Sequence, residues 1–164
     1  MFCIGDKVVY PMHGAGIIKD LQEKDIDGTT QTYYVLNIPI GNLTVTISSL
    51  KATDLGVRAA CSKEETQKLL DEHYELSENI PENWNDRYKF NIQKIKTGCL
   101  KEVIEVYTSL HLREKTKSLS GQEKKLASTA KQIILSELVI SQNIEKDLAE
   151  DMLRNMIQRY NTAC

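Results

Sequence analysis

His13, His73 and His111 are the side chains best suited to acid–base or metal chemistry, yet they fall in three different predicted elements with no ligand spacing between them. Cys3, Cys61, Cys99 and Cys164 are equally scattered and form no C-x-x-C. Neither a zinc ribbon nor a compact disulfide framework is expected, and the four read as reduced structural thiols. Asp25-Ile26-Asp27-Gly28 opens like a calcium loop, but no carboxylates follow at the later ligand positions, so a hairpin turn fits better. Gly14-Ala15-Gly16 lacks the third glycine of a dinucleotide fingerprint, position 19 being lysine, and there is no P-loop and no G-x-S-x-G. Carboxylates are plentiful, but no pair stands in a recognisable catalytic setting. The sequence therefore reads as a non-enzyme with no cofactor, no metal and no small-molecule substrate.

What remains is binding chemistry. The net charge of −2 over 164 residues conceals segments of opposite sign. Residues 62–83 carry 2 basic and 7 acidic side chains, whereas residues 84–131 carry 11 basic and 5 acidic, a local excess of +6. Local concentration matters more than the total for contact with a polyanion, because attraction in salt reaches only about 8–10 Å. The change of sign falls at Pro81-Glu82-Asn83-Trp84-Asn85-Asp86-Arg87-Tyr88-Lys89, which also holds the one tryptophan. From composition alone the basic block is either a solvated helical face or a phosphate-binding patch. A lone tryptophan on a helical stripe is more often a core anchor than a contact.

The elements that must position these residues are legible. From Lys7 to about Ile47, β-branched and aromatic runs alternate with breakers: 7–10, 16–21, 32–38 and 43–47. Asp27-Gly28 and Gly41-Asn42 supply hairpin turns. Such a small antiparallel sheet is expected to curl into a barrel, burying one face and reducing its exposed edges. After Cys61 the period becomes helical. Ser62-Lys63-Glu64-Glu65 and Ser120-Gly121-Gln122-Glu123 are capping boxes, and Asn83 caps a helix that Thr97-Gly98 ends.

In that helix Trp84, Tyr88, Ile92 and Ile95 form a stripe. The next shows Leu100, Val103, Ile104, Tyr107 and Leu110 on one face, and the fourth shows Leu126, Ala130, Ile133, Ile134 and Leu138. A last helix after Asn143 aligns Ile144, Leu148, Met152 and Met156, widened by Leu153 and Ile157. The expected fold is α+β: a small β-barrel over residues 1–55, a linker at 56–61, and a separate bundle of about five helices over 62–164. If the second helix starts, the third ends and the fourth starts at one pole, Arg87, Lys89, Lys94 and Lys96 of the second helix, Arg113, Lys115 and Lys117 of the third and Lys124, Lys125 and Lys131 of the fourth form one basic surface.

No stretch is long and apolar enough to span a bilayer, and the N-terminus lacks the n- and h-regions of a leader, so a cytoplasmic location is expected.

Val8-Val9-Tyr10-Pro11-Met12-His13-Gly14-Ala15-Gly16, Tyr34-Val35-Leu36, Leu43-Thr44-Val45, Asn83-Trp84, Arg87-Tyr88-Lys89 and Leu119-Ser120-Gly121-Gln122-Glu123-Lys124 occur in this order. As an ordered set they resemble the bacterial CarD/CdnL family of RNA polymerase-binding transcription regulators. The resemblance implies a Tudor-like N-terminal barrel, similar to the polymerase-interacting domain of the transcription-repair coupling factor and docking on the polymerase β subunit. It also implies a helical part that meets promoter DNA at the upstream edge of the transcription bubble.

On this resemblance Trp84 is the wedge that hinders bubble closure, and Arg87, Lys89, Arg113 and Lys124, with neighbouring Lys125, hold the DNA backbone. The resemblance also gives Lys24 as a basic residue at a polymerase contact, and the strand edge formed by Leu43, Thr44, Val45, Thr46 and Ile47 is the expected interface, an unpaired edge being a ready site for a partner. Two positions depart from the family: Asp86 stands where members can carry a basic residue, and Thr46 where some carry arginine. A monomer associated with the nucleoid through polymerase is the corresponding expectation. The alternative is an adaptor whose bundle binds another protein and not DNA.

Overall fold

The first strand pair turns at Pro11–His13, where Gly14, at φ +113°, takes a backbone conformation that side chains disfavour. The computed structural model describes residues 1–162, so Cys164 lies outside the described residues. Five strands follow the breakers: β1 (Lys7–Tyr10), β2 (Gly14–Ile26), β3 (Thr29–Ile38), β4 (Leu43–Ser48) and β5 (Arg58–Ala59). They form an antiparallel sheet in the order β4-β3-β2-β1-β5. Asp27-Gly28 and Gly41-Asn42 adopt positive φ at both positions, as the predicted hairpins require.

The β2–β3 ribbon shifts register between Ile18 and Asp20, and beyond that irregularity β2 is exposed along its length. Val8, Ile18, Tyr34, Leu36, Ile38, Ile47 and Ala52 form the core of this sheet. The sheet and the helices after it make the α+β, Tudor-like-plus-bundle fold.

Five helices follow among the described residues: α1 (Lys63–Asp71), α2 (Trp84–Lys96), α3 (Leu100–Thr116), α4 (Gly121–Gln142) and α5 (Lys146–Thr162). Both predicted capping boxes form at Ser62/Glu65 and Ser120/Glu123. Gly98, at φ +74°, follows the end of α2.

Three expectations need correction. The span 56–61 is not a free linker: Arg58 and Ala59 pair with Val9 and Val8 of β1 as the outer strand of the sheet. The bundle is not separate from the sheet either. α4 buries Leu126, Ala130, Ile133, Ile134, Leu135, Ser136, Glu137, Leu138 and Ile140, which leaves too little free surface for a purely amphipathic helix. One side of α4 meets α3 and α5, while the other meets β2, with Ile140 against Val9 and Ala15. Finally, the α5 stripe is rotated, because Ala149, Leu153, Met156, Ile157 and Tyr160 are buried while Leu148 is exposed.

Candidate functional site

Trp84 is the first residue of α2, and 45% of it is exposed. Its stripe explains why: Ile95 is fully buried, Ile92 and Tyr88 are partly buried against the bundle core, and the last member runs out into solvent. Asn83 fixes the helix start, its Oδ1 accepting from Asn85 N at 2.9 Å and Asp86 N at 3.3 Å. Those amides are occupied, so the α2 terminus presents an indole rather than an open anion site. Asp86 is exposed in the same turn and places a negative charge beside it.

Arg87 does not lie on the surface predicted for it. The residue is 3% exposed, and its Nε donates to Glu123 Oε1 at 2.5 Å while Nη1 donates to the carbonyls of Glu82 at 2.7 Å and Pro81 at 3.2 Å. A guanidinium so enclosed has no face left for a phosphate, so its place as a backbone clamp is corrected to that of a strut beneath Trp84. Glu123 is itself fully buried and receives Ser120 N at 2.9 Å in the α4 capping box. Burial works to raise its carboxyl pKa, but the hydrogen bonds from Arg87 and the Ser120 backbone outweigh it and hold the group below its ordinary value. The pair ties the start of α2 to the start of α4.

The end of α3 joins the same pole. Glu82 Oε2 lies 3.6 Å from Lys117 Nζ and 3.9 Å from Arg113 Nη2. Glu82 is 83% exposed, so these pairs are weak and solvent-screened. Lys89, Lys124 and Lys125 are exposed, and Arg113 is partly buried with its Nε lacking a hydrogen-bond partner. The anticipated gathering of three helix ends is therefore present, although Arg87 is removed from its surface. Lys94 is engaged by Glu105 at 3.0 Å instead.

On the sheet, β4 pairs with β3 on one side only and is an outer strand. Leu43, Thr44 and Thr46 are exposed, Val45 is partly buried, and Ile47 points into the core. Thr46, Ile47, Tyr33, Ile26 and Leu55 border a shallow groove of about 480 Å³. Lys24 stands over the Tyr33 ring at 4.9 Å. Among the described residues, no three His, Cys, Asp or Glu side chains converge into a metal-binding group, and no helix is long and apolar enough to cross a membrane.

Residues 2–58 match the family model for the CarD-like/TRCF RID domain, and residues 65–154 match that for the CarD C-terminal domain. The chain belongs to the CarD family. It is 38% identical over 146 residues to "Putative transcription factor YdeB" of Bacillus subtilis (strain 168), an alignment covering 88% of this chain and 94% of that protein. The two CarD matches meet within a few residues of β5, where the sheet gives way to the helices. This CarD chain is thus a transcription regulator of a type related to RNA polymerase interaction.

Sequence reasoning missed Arg58, Ser136 and Glu137. Each is polar and reads as solvent-facing, and only partners 79 or 121 positions away reveal otherwise. For Glu123 the capping box was a signal of its local role, but nothing local pointed to Arg87.

Proposed function

We propose that this protein binds the β subunit of RNA polymerase through the β4 edge and stabilises the open promoter complex by contacting DNA at the upstream edge of the bubble. The observation that carries the reading is the half-exposed Trp84 at the first residue of a capped, braced helix, with exposed Lys89, Lys117, Lys124 and Lys125 on the converging helix ends. An exposed apolar ring at the start of a capped helix beside basic side chains suits insertion at an unstacked step, where a few kcal/mol of lost stacking is offset by new contact. The lysines hold the flanking phosphates without reading sequence. The outer strand of the sheet, with unpaired backbone groups, suits addition to a strand of a protein partner. Binding the open state more tightly than the closed one shifts the equilibrium by that differential affinity and no more.

A fluorescent base analogue at the upstream edge of a promoter bubble tests the reading. The chain raises the signal of the unpaired base in the polymerase complex, and Trp84→Ala abolishes that rise while polymerase still binds the protein. A rise that survives Trp84→Ala refutes the wedge. The adaptor reading predicts DNA affinity in the polymerase complex that is indifferent to salt, whereas phosphate contacts make log K fall steeply with log salt.

A further inference from the structure

The Val8–Gly16 segment, prominent in the sequence, has no part in either interface described above; it lies where the sheet meets the helices. Ala15 N donates to Ser136 Oγ of α4 at 2.8 Å in a fully buried contact. A Cβ at Gly14 would stand 2.6 Å from the same Oγ, and one at Gly98 would stand 2.9 Å from Pro11 Cγ. The β1–β2 turn thus fits against α4 and against the α2–α3 turn with no room for another carbon. Beside it, Arg58 of β5 reaches Glu137 of α4 with both ends of its fork, at 2.8 and 2.9 Å, and its Nε donates to Gly98 O at 2.8 Å. Glu137, fully buried, also receives Cys61 N at 2.9 Å.

These contacts form a frame. α2 is held at its start by Arg87 on Glu123 and, just past its end, by Gly98 O on Arg58. Both carboxylates, Glu123 and Glu137, belong to the single helix α4, and fourteen positions at 1.5 Å rise put them about 21 Å apart. Arg58 thereby links the sheet, the α2–α3 turn and α4 through one side chain.

We propose that Arg58, Glu137 and the Ser136–Gly14 contact are a rigid joint that fixes the Trp84 helix relative to the β4 edge, making Arg58 and Glu137 positioning residues for the action of Trp84 on DNA. The second half of the proposal rests on the function proposed above. A wedge anchored to polymerase through a different part of the molecule works only if the connection does not swing, since misplacement weakens a contact as removal does.

The test uses the full chain. Ser136→Leu puts a better helix former in α4 but drives a larger side chain into the space Gly14 leaves, and Arg58→Lys keeps the charge but loses the fork. Residual dipolar couplings measure whether sheet and helices tumble as one body. In the wild type both sets fit one alignment tensor; in Ser136→Leu they require two, and the open-complex lifetime falls to that of Trp84→Ala while affinity for the polymerase β subunit is unchanged. Arg58→Lys gives the same split if Ser136→Leu does not fold.

A single tensor in a folded variant overturns the joint, as does a full lifetime in a variant whose tensors have diverged. If wild type and Trp84→Ala give equal lifetimes, the proposed function fails, and the tensor comparison still decides whether the joint is rigid.

Discussion

Glu82 is the acidic residue that most directly opposes the proposed DNA contact, because it occupies Lys117 and Arg113 beside the indole. An incoming phosphate meets the like charge of Glu82 there. Glu82→Gln is therefore expected to tighten DNA binding by the polymerase complex and to steepen the salt dependence, each added phosphate contact contributing about 0.9 to the slope. A titration at several salt concentrations checks this, and an unchanged slope would place Lys117 and Arg113 away from DNA. Asp86→Lys acts in the same direction, replacing the negative charge in the turn that carries Trp84. The thiols give an independent check on local structure. Burial and the adjoining Glu137 push the Cys61 thiol up to about 12, whereas Cys3 and Cys99 are exposed. Cys3 and Cys99 are expected to react with a thiol reagent well before Cys61, as peptide mapping would show.

Elements whose signals are local are legible in the sequence itself. The capping boxes at Ser62 and Ser120, the Asn83 cap and the two hairpins all form because partners two or three positions apart satisfy one another. β5 escapes such a reading because two residues carry no periodicity and are strand only through pairing with β1. α4 looks amphipathic because Ser136 and Glu137 are polar, and only the sheet on its second side explains their burial. Arg87 misleads for a related reason: in a basic block its charge reads as surface, but its partner on α4 is 36 positions away. Leaving either ion of the Arg87–Glu123 pair alone in the interior costs about 3–5 kcal/mol. Arg87→Met is thus expected to lower thermal stability sharply at pH 7, far more than Lys89→Met on the exposed face. The pair also has a pH signature. Because Glu123 titrates lower in the folded chain than its ordinary 4.5, its contribution is complete above that value and is lost as pH falls through the folded one. Melting of wild type and Glu123→Gln from pH 7 down to well below 4.5 should show the variant less stable at neutral pH, with the gap holding down to 4.5 and closing only in the more acid range below it.

In the molecule as a whole, two surfaces on different halves are joined by α4. The outer edge of β4 lies on the sheet, and the indole lies at the pole where α2 and α4 begin and α3 ends. Separate changes should therefore separate the two proposed contacts. Thr46→Glu, at an exposed position of β4, is expected to weaken polymerase binding without altering stability, whereas Trp84→Ala leaves polymerase binding intact. Whether the Trp84 ring keeps the promoter open is decided by the lifetime of competitor-resistant open complexes, measured with wild type or Trp84→Ala at equal occupancy of polymerase. The wild type is expected to lengthen that lifetime, and Trp84→Ala to return it to the value of polymerase alone; equal lifetimes for the two proteins would contradict a role for the ring.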